Sequence, residues 1–369
     1  MRRNLTLAVL LVVVAGLVWL ASRESQRPRV LARVSGSVST PVGSAGNVAW
    51  IEQGKNARQV LIASRWRKPR VLLSDPGLTC VGIDGGRALV AIRGDSASKL
   101  LAIDLRSGRR QELAQTQGEI AQVSAGDGVT ALVEERPAAV PAAPFIVAAG
   151  PVTVIRAISG KSPSPVVVAA LTVDAMPAPA AAARERRVEL LGPSHGRIWW
   201  LERRGRDAGQ TTSVRSAPLG GAAEEAVAEP GSQQAILLGD AVLLTSFSPE
   251  SALLRDTQAV RRLPLAGGKP QVVADWLRRS ITLMGSGRTA YVQDGELLWR
   301  LGSARGEQQV ICERPGGVQD SAVIGDEEYL VLRERKQLAV AERPLTWWAR
   351  VRHLLERAAY TERGEAAAR

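Results

Sequence analysis

The chain has 369 residues, with 48 Lys and Arg against 36 Asp and Glu for a formal net charge of +12. With 45% hydrophobic and 23% charged residues, its composition is neither disordered nor collagenous. Two Cys, two His and three Met exclude a disulfide scaffold, a zinc ribbon and a His-rich metal tract. The length accommodates two or three ordinary domains or one large repeat architecture. The basic excess is almost wholly arginine, since the lysines are only Lys55, Lys68, Lys99, Lys161, Lys269 and Lys336.

At the N-terminus, Arg2 and Arg3 precede LTLAVLLVVVAGLVWLA (5–21), and residues 4–22 carry no charge. A helix of that length rises about 28 Å at 1.5 Å per residue, enough to cross the hydrocarbon core of a bilayer. Residues 1–24 therefore read as an uncleaved signal anchor, a transmembrane helix embedding Leu5, Leu10, Leu11, Val14, Leu17 and Leu20. A cleaved signal peptide is the competing reading, but a cut before Ser22 puts Trp19 at the −3 position, where a small residue is needed. Arg23, Arg27, Arg29 and Arg33 outnumber Arg2 and Arg3, and a bare Lys/Arg count would keep the bulk of the chain in the cytoplasm. Against that count, a first apolar helix with four residues ahead of it behaves as an export signal. The expectation is a single-pass membrane protein with its bulk extracytoplasmic, on the periplasmic or cell-surface side.

Past Ser22 the pattern changes to short β-branched runs punctuated by Gly, Asp-Gly and Pro. Seven stretches share one outline of apolar pair, glycine turn and apolar strand: PVGSAGNVAWIE (41–52), CVGIDGGRALVAI (80–92), QVSAGDGVTALVEE (122–135), LLGPSHGRIWWLE (190–202), ILLGDAVLLTSF (236–247), LMGSGRTAYVQ (283–293) and AVIGDEEYLVLR (322–333). From Gly46 through Gly85, Gly128, Gly196, Gly239 and Gly287 to Gly325 the steps are 39, 43, 68, 43, 48 and 38 residues. Most units carry a second hairpin downstream, as in LLAIDLRSGRRQELA (100–114), VIRAISGKSPSPVVVA (154–169) and VRRLPLAGGKPQVVA (260–274). Two hairpins per unit make a four-stranded sheet, and such a sheet recurring every 40–45 residues or so is the signature of a β-propeller. The expected fold is all-β: a propeller over 37–344, of seven four-stranded blades, with six or eight also compatible with the spacing. RPAAVPAAP (136–144) and AMPAPAAAARERR (175–187) lengthen the third step and read as Pro/Ala loops, the alternative being a degenerate eighth blade. Residues 25–36 form a linker, and RVLARVSGSVS (29–39) is placed to pair with the last unit so that the two chain ends complete one blade.

The segment PLTWWARVRHLLERAAYTERGEAAAR (344–369) repeats apolar residues at three- and four-residue spacing, with Thr346 available as a cap. Residues 345–369 are predicted to be an amphipathic helix and tail, packed on the ring or lying on a membrane surface.

The hairpins RRLPLAGGKPQVVA, SAPLGGAAEEAVA and LLAIDLRSGRRQELA resemble the outer hairpins of bacterial TolB-like propellers, in which a strand ends in a Pro-Leu or Asp-Leu step, turns on Gly and returns. The resemblance covers about 42–342 and is one of repeat pattern. It implies an extracytoplasmic propeller that binds proteins or envelope components, and it carries over no functional residue. No Trp-Asp dipeptide and no regular Trp per repeat accompany it, unlike WD-type and quinoprotein-type rings.

Motifs of catalysis are sparse. The chain has no G-x-S-x-G, Walker-type loop, H-E-x-x-H or calcium loop. GSGRTA (285–290) fits G-x-G-x-x-A but runs into a strand, where a dinucleotide site needs a helix. His195, in a turn beside Trp199, is the candidate ligand contact on the rim, set against the plainer reading of an exposed turn residue. Cys80 and Cys312 read as small strand residues in non-adjacent blades. The pairs Glu134-Glu135, Glu224-Glu225 and Glu327-Glu328 read as solvated acids at turns and edges. Arginines are dispersed among turns, which argues against nucleic acid as a partner, and the cluster 65–70 reads as solvated turn charge, with contact to anionic lipid as the alternative. The functional expectation is a binding or scaffolding module of the cell envelope, anchored in the membrane, with a protein partner on the propeller face and with no cofactor or metal. The alternative is an exported propeller enzyme, of hydrolase, lyase or quinone-dependent type, with its site at the channel mouth.

Overall fold

The structure is a computed structural model that describes residues 15–16, 29–33, 37–44, 46–64, 68–136, 152–159, 162–171, 186–204, 211–219, 224–228, 234–247, 257–278, 281–286, 289–294, 297–302, 309–313, 320–324, 329–334 and 337–342. Ala15 and Gly16 are helical, and among the described residues no helix is long and apolar enough to cross a membrane. The expected anchor residues Leu5, Leu10, Leu11, Val14, Leu17 and Leu20 and the expected helix of 345–369 lie outside the described residues.

The described chain begins with β1 (Arg29–Arg33) and then forms successive antiparallel meanders. Sheet 1 holds β2 (Val42–Ser44), β3 (Asn47–Gln53), β4 (Arg58–Ser64) and β5 (Arg70–Asp75). Sheet 2 holds β6 (Leu78–Asp84), β7 (Arg87–Arg93), β8 (Ser98–Asp104) and β9 (Arg110–Thr116). Sheet 3 holds β10 (Glu119–Gly126), β11 (Val129–Arg136), β12 (Val152–Ser159) and β13 (Ser162–Leu171). Sheet 4 holds β14 (Arg186–Ser194), β15 (Arg197–Arg204), β16 (Thr211–Pro218) and β17 (Glu224–Ala228). Sheet 5 holds β18 (Ala235–Leu238), β19 (Ala241–Phe247), β20 (Thr257–Pro264) and β21 (Gln271–Arg278). Sheet 6 holds β22 (Ile281–Ser286), β23 (Thr289–Asp294), β24 (Leu297–Leu301) and β25 (Gln309–Glu313). The last sheet joins β26 (Asp320–Ile324), β27 (Tyr329–Glu334) and β28 (Gln337–Glu342) to β1, which pairs antiparallel with β28, Arg29 opposite Val340 and Arg33 opposite Gln337. First strands of successive sheets touch in turn, β2 on β6, β6 on β10 and so on, and β26 returns to β2.

The second strands of sheets 1 to 6 are buried on both faces, which explains their unbroken apolar reading. Successive side chains point to opposite faces of a strand, so in β7 Ala88 and Val90 pack toward sheet 1 while Leu89 and Ala91 pack toward sheet 3. In β15, Ile198 and Trp200 join Ile155 of sheet 3, and Trp199 and Leu201 join Val242 and Leu244 of sheet 5. Leu31 of β1 packs on Val48, Trp50 and Ala63 of sheet 1, so the N-terminal strand contributes apolar contacts as well as hydrogen bonds. Each large side chain buried this way contributes roughly 1.5–3 kcal/mol.

Polar clamps cross between sheets as well. The Gln122 amide donates to Val188 O at 2.8 Å and accepts from Leu190 N at 2.7 Å, tying β10 to β14. Gln234 does the same between sheets 5 and 6, donating to Ile281 O and accepting from Leu283 N. The 68-residue step is filled by β12 and β13, which complete sheet 3. The Pro/Ala segments fall between β11 and β12 and between β13 and β14, largely outside the described residues. GSGRTA lies at the β22–β23 hairpin.

Antiparallel meanders sort every connection to one of two ends. Turns from first to second strand and from third to fourth lie at one end, here called the first-turn end. Turns from second to third strand and the links between sheets lie at the other, the link end.

Candidate functional site

A cavity of about 380 Å³ opens at the link end between sheets 2 and 3. Its walls come from the β7–β8 turn (Arg93, Asp95, Ser96, Ser98), from the sheet 2–3 link (Gln117, Gly118, Glu119) and from the end of β11 (Glu135, Arg136). Arg93 and Glu119 form an exposed ion pair of 2.8 Å across it, joining the two sheets at its rim. Asp95 adds a carboxylate to the lining, and Glu135 borders it with its backbone carbonyl beside Gly118. Such a surface offers both donors and acceptors to a polar ligand.

The cavity wall is supported from behind by Glu134, which is fully buried. Its Oε1 accepts from Arg136 Nε at 2.8 Å and from Gly118 N at 2.9 Å, and its Oε2 accepts from Arg156 Nε at 2.7 Å. Burial alone would raise the carboxyl pKa. The Arg136 and Arg156 hydrogen bonds, the Gly118 N–H and the charge of Arg156 outweigh it and leave Glu134 at about 2. Thr116 Oγ1 donates to Gly118 O at 2.9 Å, so both backbone groups of Gly118 are held. This corrects the expectation that Glu134 is a solvated edge acid. Leu132, Glu134 and Arg136 share one face of β11, and that face is pressed against sheet 2, whereas Glu135 points the other way and is exposed.

Sheet 4 repeats the device. Glu202, also fully buried, pairs with Arg204 at 2.6 Å and with Arg215 at 2.9 Å, from the same strand and from the third strand as in sheet 3. Glu52 and Asp294 occupy the corresponding sixth position of β3 and β23. The signal was present in the sequence as an acid closing the apolar run of the second strand, followed downstream by a β-branched residue and Arg in the third, Ile155-Arg156 and Val214-Arg215. It became readable only once the strands were in register.

His195 lies at the opposite end, in the β14–β15 turn, with φ of +52°. Asp127 Oδ2, from the β10–β11 turn with φ of +51°, accepts from the His195 backbone N–H at 2.7 Å. Ser194 Oγ lies 2.9 Å from His195 Nδ1. Serine, histidine and aspartate thus meet, but the carboxylate holds the peptide N–H and not the imidazole, so the arrangement is a turn lock rather than a charge relay. Trp199 is corrected as a rim contact. It is 4% exposed, packed between sheets 4 and 5, and its Nε1 donates to Ser194 O at 3.3 Å. Cys80 is a free thiol in β6, pushed up to about 12 chiefly by burial. Among the described residues no group of three or more His, Cys, Asp or Glu is arranged to hold a metal ion.

No protein-family model matches the sequence, and no curated protein is recognisably similar to it. Solved structures do superpose on it. The β-propeller domain of the Trilobed protease from Pyrococcus furiosus, described as having an open velcro topology, matches at 14% identity and a TM-score of 0.57, over 84% of this chain and 93% of that one. Oligogalacturonate lyase in complex with manganese matches at 10% identity and 0.59, over 87% and 97%. Pyrococcus horikoshii acylaminoacyl peptidase matches at 11% identity and 0.56, over 84% of this chain and 52% of the peptidase, so the chain spans about half of that enzyme. TolB from Acinetobacter baumannii superposes at a TM-score of 0.42, too low to carry the resemblance read in the hairpins. At these identities the likeness is one of fold, and the fold is a β-propeller.

Proposed function

We propose that this chain is a seven-bladed propeller, closed by β1 against β28, that is anchored in the membrane outside the cytoplasm and binds a partner protein at its link end. The observation that carries the reading is the polar cavity between sheets 2 and 3. Its wall is fixed by the buried Glu134, whose carboxylate accepts from the link at Gly118 N and from Arg136 and Arg156 of β11 and β12. The exposed Arg93–Glu119 pair and the carboxylate of Asp95 suit a partner segment bearing backbone amides and basic side chains. The test is a photo-crosslinking residue at Ser96, in the cavity, and at Ser107, at the other end, in the full-length protein in its own membranes. One discrete adduct from Ser96 and none of the same size from Ser107 supports the reading. Equal labelling from both positions overturns it.

The alternative of a propeller enzyme is favoured by one observation, the match over 97% of a lyase chain. Oligogalacturonate cleavage by the purified protein, abolished by changes at the cavity wall, would establish it in place of the binding reading.

A further inference from the structure

We infer that the first-turn end of the ring is a docking face for an anionic lipid surface, which turns the cavity at the link end away from the bilayer. The inference rests on the membrane-anchored reading above and adds an orientation and a lipid class to it.

The topology supplies the first argument. β28 is the third strand of its sheet and runs from the link end to the first-turn end, where it finishes at Glu342. β1, antiparallel to β28, begins at that same end with Arg29. Residues 22–28 are all that separate β1 from the apolar stretch 5–21, and seven residues reach at most about 25 Å when extended. A ring tethered so closely presents one end to the membrane.

Charge supplies the second argument. The third-to-fourth turns and the strand starts after them carry Lys68, Arg70, Arg106, Arg109, Arg110 and Lys269, all exposed. Arg70 donates to Leu105 O, and the side chains of the other five make no ion pair among the described residues. Among the described side chains, four acids at this end are engaged locally. Asp104 accepts from Arg106 N at 3.0 Å and from Ser107 N at 2.6 Å, Asp84 pairs with Arg87, Asp240 pairs with Arg262, and Asp127 holds the His195 N–H. Free cations facing outward with acids folded into turns make a positive surface, matched to phosphodiester headgroups.

Apolar exposure supplies the third. Of the five exposed large aliphatic residues among those described, Val71 and Val272 are the second residues of β5 and β21 and Leu219 sits in the β16–β17 turn, all near the first-turn end, while Val166 and Val167 lie midway along β13. Basic side chains interleaved with exposed aliphatic ones are the composition of an interfacial contact, the cations meeting headgroups and the aliphatic groups entering the boundary beneath them.

The experiment uses the full-length chain in nanodiscs of phosphatidylcholine alone and in nanodiscs containing phosphatidylglycerol, read by amide hydrogen exchange. Exchange across 105–110 and 266–270 should slow about fivefold in the anionic discs relative to the neutral ones, with 94–97 unchanged. The slowing should disappear in high salt and in the triple variant Arg106→Ser, Arg109→Ser, Arg110→Ser, whose thermal unfolding should match the parent because all three side chains are solvent-exposed. Equal exchange in both lipids, slowing at 94–97 instead, or the same slowing produced in neutral discs by soluble polyphosphate would each overturn lipid docking. A chain that does not enter either disc refutes the anchor, and its cosedimentation with phosphatidylglycerol vesicles but not phosphatidylcholine vesicles would still support the docking face, while sedimentation with neither would overturn that too.

Discussion

The two ends of the ring are built by different means from the same repeat. At the first-turn end the chain reverses on short glycine turns, with positive φ at Gly46, Gly85, Gly128 and Gly196 and open space where a Cβ would stand. At the link end the chain passes over the tips of its own strands. There Gly118 and Gly77 are needed for lack of room, since a Cβ would collide with the carbonyl oxygens of Glu135 and Arg93. One end is conformationally demanding, with open turn tips and close packing only where Gly126 and Gly192 meet the neighbouring sheet's strand, and the other is sterically demanding at its links and stitched by buried ion pairs. The difference teaches that a propeller can keep one face free to carry exposed charge while the opposite face holds a rigid cavity.

The largest expected effect separates the two kinds of glycine. Gly118→Val should cost more than about 4 kcal/mol or prevent folding, by backbone collision at a buried link. Gly128→Ala, strained only through φ, should cost about 1 kcal/mol, and urea midpoints of the two variants measure the gap. Comparable losses would mean that the ends are not built differently.

Next comes Glu134→Ala, which strands Arg156 in the sheet 2–3 interface and should cost about 3 kcal/mol. The same carboxylate governs acid stability. Its folded pKa of about 2 lies below the ordinary 4.5, so its contribution is complete above pH 4.5 and is lost as pH falls from there toward 2. Urea midpoints between pH 6 and 3 should therefore drop, and Glu134→Gln should flatten that drop while lowering the midpoint at pH 6.

Gln122→Ala removes the clamp from β10 to β14 and leaves Val188 O and Leu190 N without that partner, an expected loss of about 1–2 kcal/mol. Amide exchange at Leu190 should speed up selectively, and uniform acceleration across all sheets would show that the clamp is not local. The smallest effect belongs to the exposed turn lock, where Asp127→Ala should cost about 0.5–1 kcal/mol because water can replace the lost acceptor at His195 N–H. A larger loss in thermal unfolding would mean that the first-turn end bears more of the fold than its open packing indicates.

Strand-level structure was legible because it is local. Gly85, Gly128 and Gly196 mark turns through their own φ, and period-2 side-chain direction makes LVAI of β7 a doubly buried strand wherever it sits. Even the closing strand at 29–33 was readable, since a last unit short of a strand and an unassigned strand at the other chain end are complementary. Glu134 was not legible. Its burial depends on sheet 2 covering one face of β11, and its low pKa depends on Arg156, placed diagonally across the strand pair by register. Trp199 and Trp200 are adjacent in sequence yet belong to cores on opposite sides of sheet 4, so neither reads as rim or core until both neighbouring sheets are present.

By itself the sequence determined the all-β repeat, the turn positions, the apolar N-terminal stretch and the surplus of arginine. It could not determine which arginines share a face, because alternate connections of a meander go to opposite ends and residues a few positions apart, such as Arg93 and Arg106, part company. Only the tertiary structure decided that the turn cations Arg106, Arg109, Arg110 and Lys269 share one end with Val71 and Val272, and that buried carboxylates and the cavity gather at the other. The physical reason is that charge and burial are properties of packed sheets, set by neighbours from distant parts of the chain, whereas strand and turn are set within a few residues.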